Sequence, residues 1–376
     1  MECDAGLVWC GMKNEIRPSR VLLKAIGLFI LLNLLYALVA PQGGRLSGYN
    51  ILFPGRTRLP FGIVGDPYTV TVEDVETMFA SHLIAAPRLP NEYRVVLIGD
   101  SSVWGEGLGA YEVISEQWNR MNLACGERII RTHNLGYPHP SVVKDLVILD
   151  KAIEHKPDLI IWFVTLNSLI SQRVNPFLVA NRGRTVRVLN AYDISFKQGK
   201  QLAEKEQTFF ERTLIGQRSN LARWIKLQFL GLIWTATDAD TNTLAEDDPP
   251  DFDIGDDPRY RGMEPPAEIQ DLLLFSALSA GQEMAGSIPV LIVNEPMYVA
   301  PKAETMVRYN AGYPRWAYDQ YREAVSARAQ GDAWKYLDLW DAIPRRYFLD
   351  ASLHLGAEGE RLLIKKIDPL LQSMCR

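Results

Sequence analysis

The chain has 376 residues, 47% hydrophobic and 23% charged, with a formal net charge of −5. That balance suits a globular protein with a sizeable core and excludes a disordered or fibrous chain. A mildly acidic chain with no basic block also argues against a nucleic-acid partner.

The first element in chain order is VLLKAIGLFILLNLLYALVA, residues 21–40, apolar apart from Lys24 and Asn33. Twenty residues at about 1.5 Å rise cover about 30 Å, the thickness of a bilayer's hydrocarbon core. Lys24 lies one turn inside and can snorkel to the interface. Lys13, Arg17 and Arg20 precede the segment, which favours residues 1–20 as a cytoplasmic tail. A cleaved signal peptide is the rival reading, but its apolar core runs to only about 7–15 residues and ends at a small-residue site. Here Pro41 follows the one suitable site and disfavours cleavage. A buried core helix is the third alternative. The expectation is a single-pass anchor in the cell membrane, with everything after residue 41 extracytoplasmic.

Residues 41–90 are rich in Pro, Gly and Arg and read as a stem that packs on the following domain. From residue 91 to 376 the pattern alternates. Strand candidates are 94–99, 128–134, 158–165, 288–295 and 334–340, several of them continuous β-branched runs suited to strands covered on both faces. Helical patterns fall near 112–122, 141–155, 268–284, 316–329 and 357–372. This alternation implies right-handed βαβ units and a parallel sheet, in a three-layer α/β/α flavodoxin-like domain. An insertion at about 172–265 interrupts it. Its helical part, Thr208 to Ala236, ends in the very apolar WIKLQFLGLIWTA. That helix reads as a cap over the core, with a membrane-facing role as the lesser alternative. The acidic segment 237–258 reads as a solvated loop, with calcium binding as the lesser alternative, because its carboxylates cluster but lack the spacing of an EF-hand loop.

Of four cysteines, Cys3 and Cys10 would be cytoplasmic, and Cys125 and Cys375 are the only pair able to bridge outside. Without CxxC or zinc-type Cys/His spacing, neither a metal nor a cofactor is expected.

The chemistry concentrates in YRVVLIGDSSVWGEGL, residues 93–108, where a strand runs straight into two serines. In a parallel α/β sheet, ligands bind beyond the carboxyl ends of the strands. Ser101 sits at such an end, where a helix begins and developing negative charge is favoured. The plainer alternative is that Ser101 or Ser102 merely caps the helix. A serine nucleophile also needs a base. Of the five histidines, His354 follows the last strand and so shares the edge of the sheet with Ser101, and Asp350 lies four residues earlier. Asp338 and Asp341 are stand-ins for the orienting acid. Asn167, after the third strand, and NLGYPHP, residues 134–140 after the second, reach the same edge. An amide and backbone N–H groups there could form an oxyanion hole, or could be ordinary turn residues.

Gly99-Asp100-Ser101, a Gly-containing turn after strand two, Asn167 after strand three and a C-terminal Asp350…His354 together resemble the SGNH (GDSL-type) hydrolases. The resemblance covers about 91–170 and 288–372. It implies Ser101 as nucleophile, His354 as base, Asp350 as the triad acid, and an oxyanion hole from Asn167, the Ser101 N–H and a second-block donor that aligns with His139 or Gly136. Three departures accompany it. Thr165-Leu166-Asn167-Ser168 stands in place of Gly-x-Asn-Asp, the Asp-to-His spacing is one residue longer, and the family's second-block glycine aligns with a histidine. The resemblance also implies an acyl-enzyme activity, either an esterase or an O-acyltransferase, on an acylated cell-surface glycan or lipid. Membrane-tethered domains similar to this one work beside membrane-bound O-acyltransferases. The non-enzymatic alternative is a degenerate domain that binds glycan without turnover. The sequence has no GxSxG elbow, so an α/β-hydrolase is not favoured, and no P-loop GxxxxGK(S/T).

Overall fold

Long β-branched runs with no polar alternation can only be buried on both faces, and that is how the sheet is built. The computed structural model describes residues 17–39, 43–62, 68–204, 208–237 and 254–375. Six strands form one sheet: β1 Glu92–Ile98, β2 Ala124–Cys125, β3 Arg128–Asn134, β4 Leu159–Val164, β5 Val290–Asn294 and β6 Lys335–Asp338. Their order is β2-β3-β1-β4-β5-β6. All pairings are parallel except that of the short edge strand β2 with β3. Leaving β2 aside, the five parallel strands run in the order second, first, third, fourth, fifth, which is the flavodoxin-like arrangement.

The helices include α1 Pro18–Val39, α2 Gly48–Leu52, α3 Ser101–Trp104, α4 Ile114–Arg120, α5 Val142–Ala152, α6 Leu166–Ile170, α7 Arg218–Thr237, α8 Phe275–Ala285, α9 Arg315–Gly331 and α10 Ala357–Met374. Strand residues point alternately to two cores. Val96, Ile98, Ile160 and Trp162 pack with α5, α8 and α9 on one face. Val95, Leu97, Ile161 and Phe163 pack with α4 and α10 on the other. The expected three-layer α/β/α sandwich is present.

The chain divides into two units, residues 43–205 with 222–376 and residues 1–42 with 206–221. In the smaller unit α1 is 22 residues long with a mean hydropathy of 2.3, enough to cross a membrane. Its side chains are mostly exposed, and its polar Asn33 accepts a hydrogen bond from the Ile215 N–H at 3.1 Å. The tail before Arg17 and the acidic loop at 238–253 lie outside the described residues.

The stem belongs to the larger unit and packs as a layer of its core through Leu59, Val72, Met78 and Phe79. It also reaches the catalytic-looking turn. Trp104, which reads as exposed in sequence, is buried: its indole N–H donates to the Leu59 carbonyl at 2.8 Å and Arg58 stacks 4.3 Å over its ring. The apolar helix α7 covers this stem rather than the sheet. Its Trp234 donates to the Tyr68 carbonyl and lies under Arg56, and its Gln228 side chain receives the Gly48 N–H.

Cys125 of β2 and Cys375, just beyond α10, are joined as a disulfide across 250 residues of sequence. The bond ties an edge strand of only two residues to the last helix. Closing so long a loop is worth about 2–4 kcal/mol. Unfolding by denaturant with and without reductant should show a stability loss of that order, and Cys375→Ser should reproduce it without reductant.

Candidate active site

The order of the strands decides where a site can form. The chain leaves β1 between two parallel neighbours whose connections depart to opposite faces, and the crevice at such a switch point is where ligands of this architecture bind. The loops at the carboxyl ends of β1, β3 and β4 meet there.

After β1 the chain turns at Gly99, where a Cβ would approach Val103 Cγ2 to 2.5 Å. Asp100 caps α3: its carboxylate accepts the Ser102 N–H at 3.1 Å. Neither serine is therefore the cap, and Ser101 occupies the first helical position. Ser101 Oγ lies 2.8 Å from His354 Nε2. His354 Nδ1 lies 2.6 Å from Asp350 Oδ2. The carboxylate fixes the proton on Nδ1, which leaves Nε2 as acceptor for the serine hydroxyl.

The extra residue between Asp350 and His354 is absorbed by a tight loop. Phe348 and Leu355 pair across its base, and the Leu349 N–H donates to the His354 carbonyl at 2.8 Å. Asp350 Oδ1 takes the N–H groups of Ser352 and His354, at 2.9 and 3.2 Å, so the carboxylate is aimed by the loop it closes. The stand-in Asp338 is engaged elsewhere, with Asn294 and Arg322. Burial works against protonated His354, but Asp350, joined by the charges of Glu106 and Asp100, outweighs it and raises the pKa above the usual histidine value. For Asp350, burial is likewise outweighed by the bonds from His354 and Ser352, and its pKa falls. Glu106, 3.5 Å from Nε2, escapes sequence reasoning because nothing marks it among the loop residues.

The other candidates are spread over the adjoining loops. Asn167 is the second residue of α6. Thr165 caps that helix reciprocally with Ser168, so Ser168 anchors the turn. Asn167 Oδ1 accepts from the Tyr260 hydroxyl at 2.8 Å and from Arg261 at 3.2 Å. That fixes the amide orientation with its NH2 free among the described residues. Tyr260 and Arg261 were not legible as site residues, because they come from a loop nearly a hundred positions away. Gly136 is a glycine for space: a Cβ would come within 2.5 Å of Trp104 N. Its N–H already donates to Asn134 Oδ1 at 3.0 Å. His139 holds the other second-block N–H, which makes no hydrogen bond among the described residues. Its φ of 88° is a conformation that glycine adopts easily. The Ser101 N–H, in the first helical turn, has no intrahelical acceptor. Three donors thus stand uncommitted on the loops after β1, β3 and β4.

Two buried groups brace this edge. Lys144 is fully buried and donates to the carbonyls of Gly99 and Tyr137, at 2.7 and 2.6 Å, with Asp145 2.8 Å away. Glu295, beyond β5, contacts the Ser102 hydroxyl, which also lies 3.1 Å from Asp100 Oδ1. One hydroxyl has one proton, so it cannot donate to both carboxyls. Burial, reinforced by the charge of Asp100, raises the Glu295 pKa well above the carboxylate range. That direction favours the neutral, donating form of Glu295, which leaves the Ser102 proton for Asp100. Ser102 is committed to this chain, whereas Ser101 faces His354. Among the described residues no cluster of three or more His, Cys, Asp or Glu is suited to hold a metal ion.

No family model matches the chain, and neither does any curated protein. Solved structures similar to it include a member of the lipolytic protein G-D-S-L family from Veillonella parvula, at 10% identity and a TM-score of 0.36, covering 74% of this chain and 97% of that one. Another is a carbohydrate acetylesterase family member from Sinorhizobium meliloti, at 13% and 0.35, covering 75% and 99%. A third, from Lactobacillus plantarum, stands at 15% and 0.37, covering 76% and 99%. At such distances the functional reading rests on the residues and not on these likenesses.

A neutral Glu295 makes a specific prediction. An acid whose folded pKa is raised stabilises the fold below its unfolded pKa, and that contribution is lost as pH rises. Glu295→Gln keeps a donor without that loss, so its stability relative to the parent should improve as pH rises above the ordinary carboxylate range. Glu295→Ala, which leaves Ser102 without its donor, should cost about 1–3 kcal/mol in denaturant unfolding.

Proposed function

We propose that the chain is an SGNH-type serine acyl-enzyme catalyst, an esterase or O-acyltransferase, tethered by residues 21–40 with residues 91–376 as an extracytoplasmic catalytic domain, and acting on an acylated cell-surface glycan or lipid. The observation that carries it is the continuous contact from Ser101 Oγ through His354 to Asp350. A merely capping serine would have no reason to meet an imidazole contributed from 253 positions away. The disulfide supports the extracytoplasmic reading, because such bonds persist in oxidising compartments.

In this reading Ser101 Oγ adds to the ester carbonyl while His354 Nε2 takes its proton. The imidazolium so formed is stabilised by Asp350. The oxyanion is met by the Ser101 N–H, the Asn167 amide and the His139 N–H, donors whose combined effect is several kcal/mol of barrier. The tetrahedral adduct collapses, the alkoxide leaves with the proton from His354, and the acyl group remains on Ser101. A second nucleophile, deprotonated by His354, then attacks that ester. Water gives hydrolysis and a sugar hydroxyl gives transfer. Partition of a pre-formed acyl-enzyme between free acid and acylated sugar acceptor distinguishes the two.

Mass spectrometry after fluorophosphonate treatment should find one adduct, on Ser101. Ser101→Ala should abolish it and cut turnover by about 10³-fold or more, while Ser102→Ala should still be labelled. Labelling of Ser102, or none, would overturn the assignment.

The base must be neutral to act, so kcat/KM should fall on the acid side with an apparent pKa above the ordinary histidine value, the direction in which Asp350 shifts His354. Asp350→Asn should lower both that apparent pKa and kcat, the latter by about tenfold or more.

A further inference from the structure

From Trp224 onward helix α7 carries apolar side chains on an inner and an outer side, with Lys226 and Gln228 between them, and only the inner side is covered. Leu227, Leu230, Gly231 and Trp234 form the inner stripe, buried against the stem. At Gly231 the packing is so close that a Cβ would come within 2.3 Å of the Tyr49 ring. Ile225, Phe229, Leu232 and Ile233, at helical spacing, form an outer stripe that is open, with Phe229 66% exposed. Beside it lies α2, joined to α7 through Gln228 and through the Trp224 indole, which donates to the Leu46 carbonyl. This neighbour also ends in an uncovered apolar run: Ile51 is 71% and Leu52 69% exposed, with Phe53 following. An exposed apolar surface of this kind marks a contact site.

The chain itself identifies the occupant. Only nine positions separate Val39, the last residue of the apolar helix α1, from Gly48, the first of α2. At about 3.3–3.6 Å per residue that link reaches at most about 30 Å. A bilayer crossed by α1 therefore lies within reach of α2 and of the helix packed on it. α7 carries Arg218, Arg223 and Lys226 and no carboxylate of its own, with Arg223 paired to Glu73 at 2.8 Å and Lys226 donating to the Thr69 carbonyl, so its own charges are all of the sign that suits anionic headgroups.

We infer that the outer faces of α7 and α2 are a second membrane contact, seated in the headgroup region of the bilayer that anchors the chain. This rests on the reading of α1 as a spanning anchor. Its consequence is that the catalytic domain is held against the membrane surface rather than free on a tether.

Depth-dependent quenching on the full chain tests both readings separately. In a Cys3→Ser, Cys10→Ser background, single cysteines are placed by Leu28→Cys in the anchor, Phe229→Cys and Leu52→Cys on the proposed contact, and Lys366→Cys on α10 as a solvent control. Each is labelled with an environment-sensitive fluorophore and reconstituted into phosphatidylcholine–phosphatidylglycerol vesicles. Lipid-borne nitroxide should quench the first three by about twofold or more, and aqueous iodide should quench only the last. If the Leu28 label is lipid-quenched but Phe229 and Leu52 respond to iodide, the contact is refuted and the anchor stands. If those two are shielded from both quenchers, a protein covers the face, a second copy included, and the lipid contact is refuted. If Leu28 is not lipid-quenched, the anchor fails and the contact fails with it.

Discussion

The site depends on one buried ammonium group. Lys144 reaches from α5 to hold two carbonyls at once, that of Gly99 at the end of β1 and that of Tyr137 beyond β3. These belong to the two loops that carry Ser101 and His139, so a single side chain sets the spacing between a nucleophile candidate and an oxyanion-donor candidate. A lysine with no solvent access is tolerable only because its donors meet two carbonyls and an adjacent carboxylate. Gly136 is the steric counterpart of that clamp. The loop can be drawn this close to the Val103–Trp104 backbone only if it presents no side chain there.

The second brace works through protons instead of charge. Asp100 caps the helix that begins at Ser101, and it stays oriented because Ser102 donates to it. The same hydroxyl also contacts Glu295, whose carboxyl is pushed by burial toward its neutral form. The adjacent serines thus divide the labour. One is immobilised in an internal hydrogen-bond chain, and its neighbour is left facing an imidazole.

Much of this was legible in the chain. Buried strands announce themselves by uninterrupted β-branched runs, and the parallel α/β sheet follows from their alternation with helices. The positions of Ser101, His354 and Asn167 at one edge follow from that topology alone. What was not legible depends on distances between segments remote in sequence. The longer Asp350-to-His354 spacing gave no hint of the Phe348–Leu355 pairing that closes its loop. Trp104 reads as exposed because neither Arg58 nor the Leu59 carbonyl can be seen to arrive over it. Tyr260, Arg261, Lys144 and Glu295 carry no motif; their importance lies in where their polar atoms end. The apolar α7 was correctly marked as a helix, but the layer it covers is the stem and not the sheet, since periodicity reveals a face without naming its partner.

The separation of Ser101 from His354, 253 positions, has a meaning during synthesis. At about 5–20 residues per second, the nucleophile candidate emerges tens of seconds before its base. Over that interval the growing chain carries a serine no more reactive than any other. Until the segment after β6 has been made, the contact from Ser101 through His354 to Asp350 cannot form. Splitting that contact between the end of the first strand and the loop before the last helix makes near-completion of the chain a condition of its assembly.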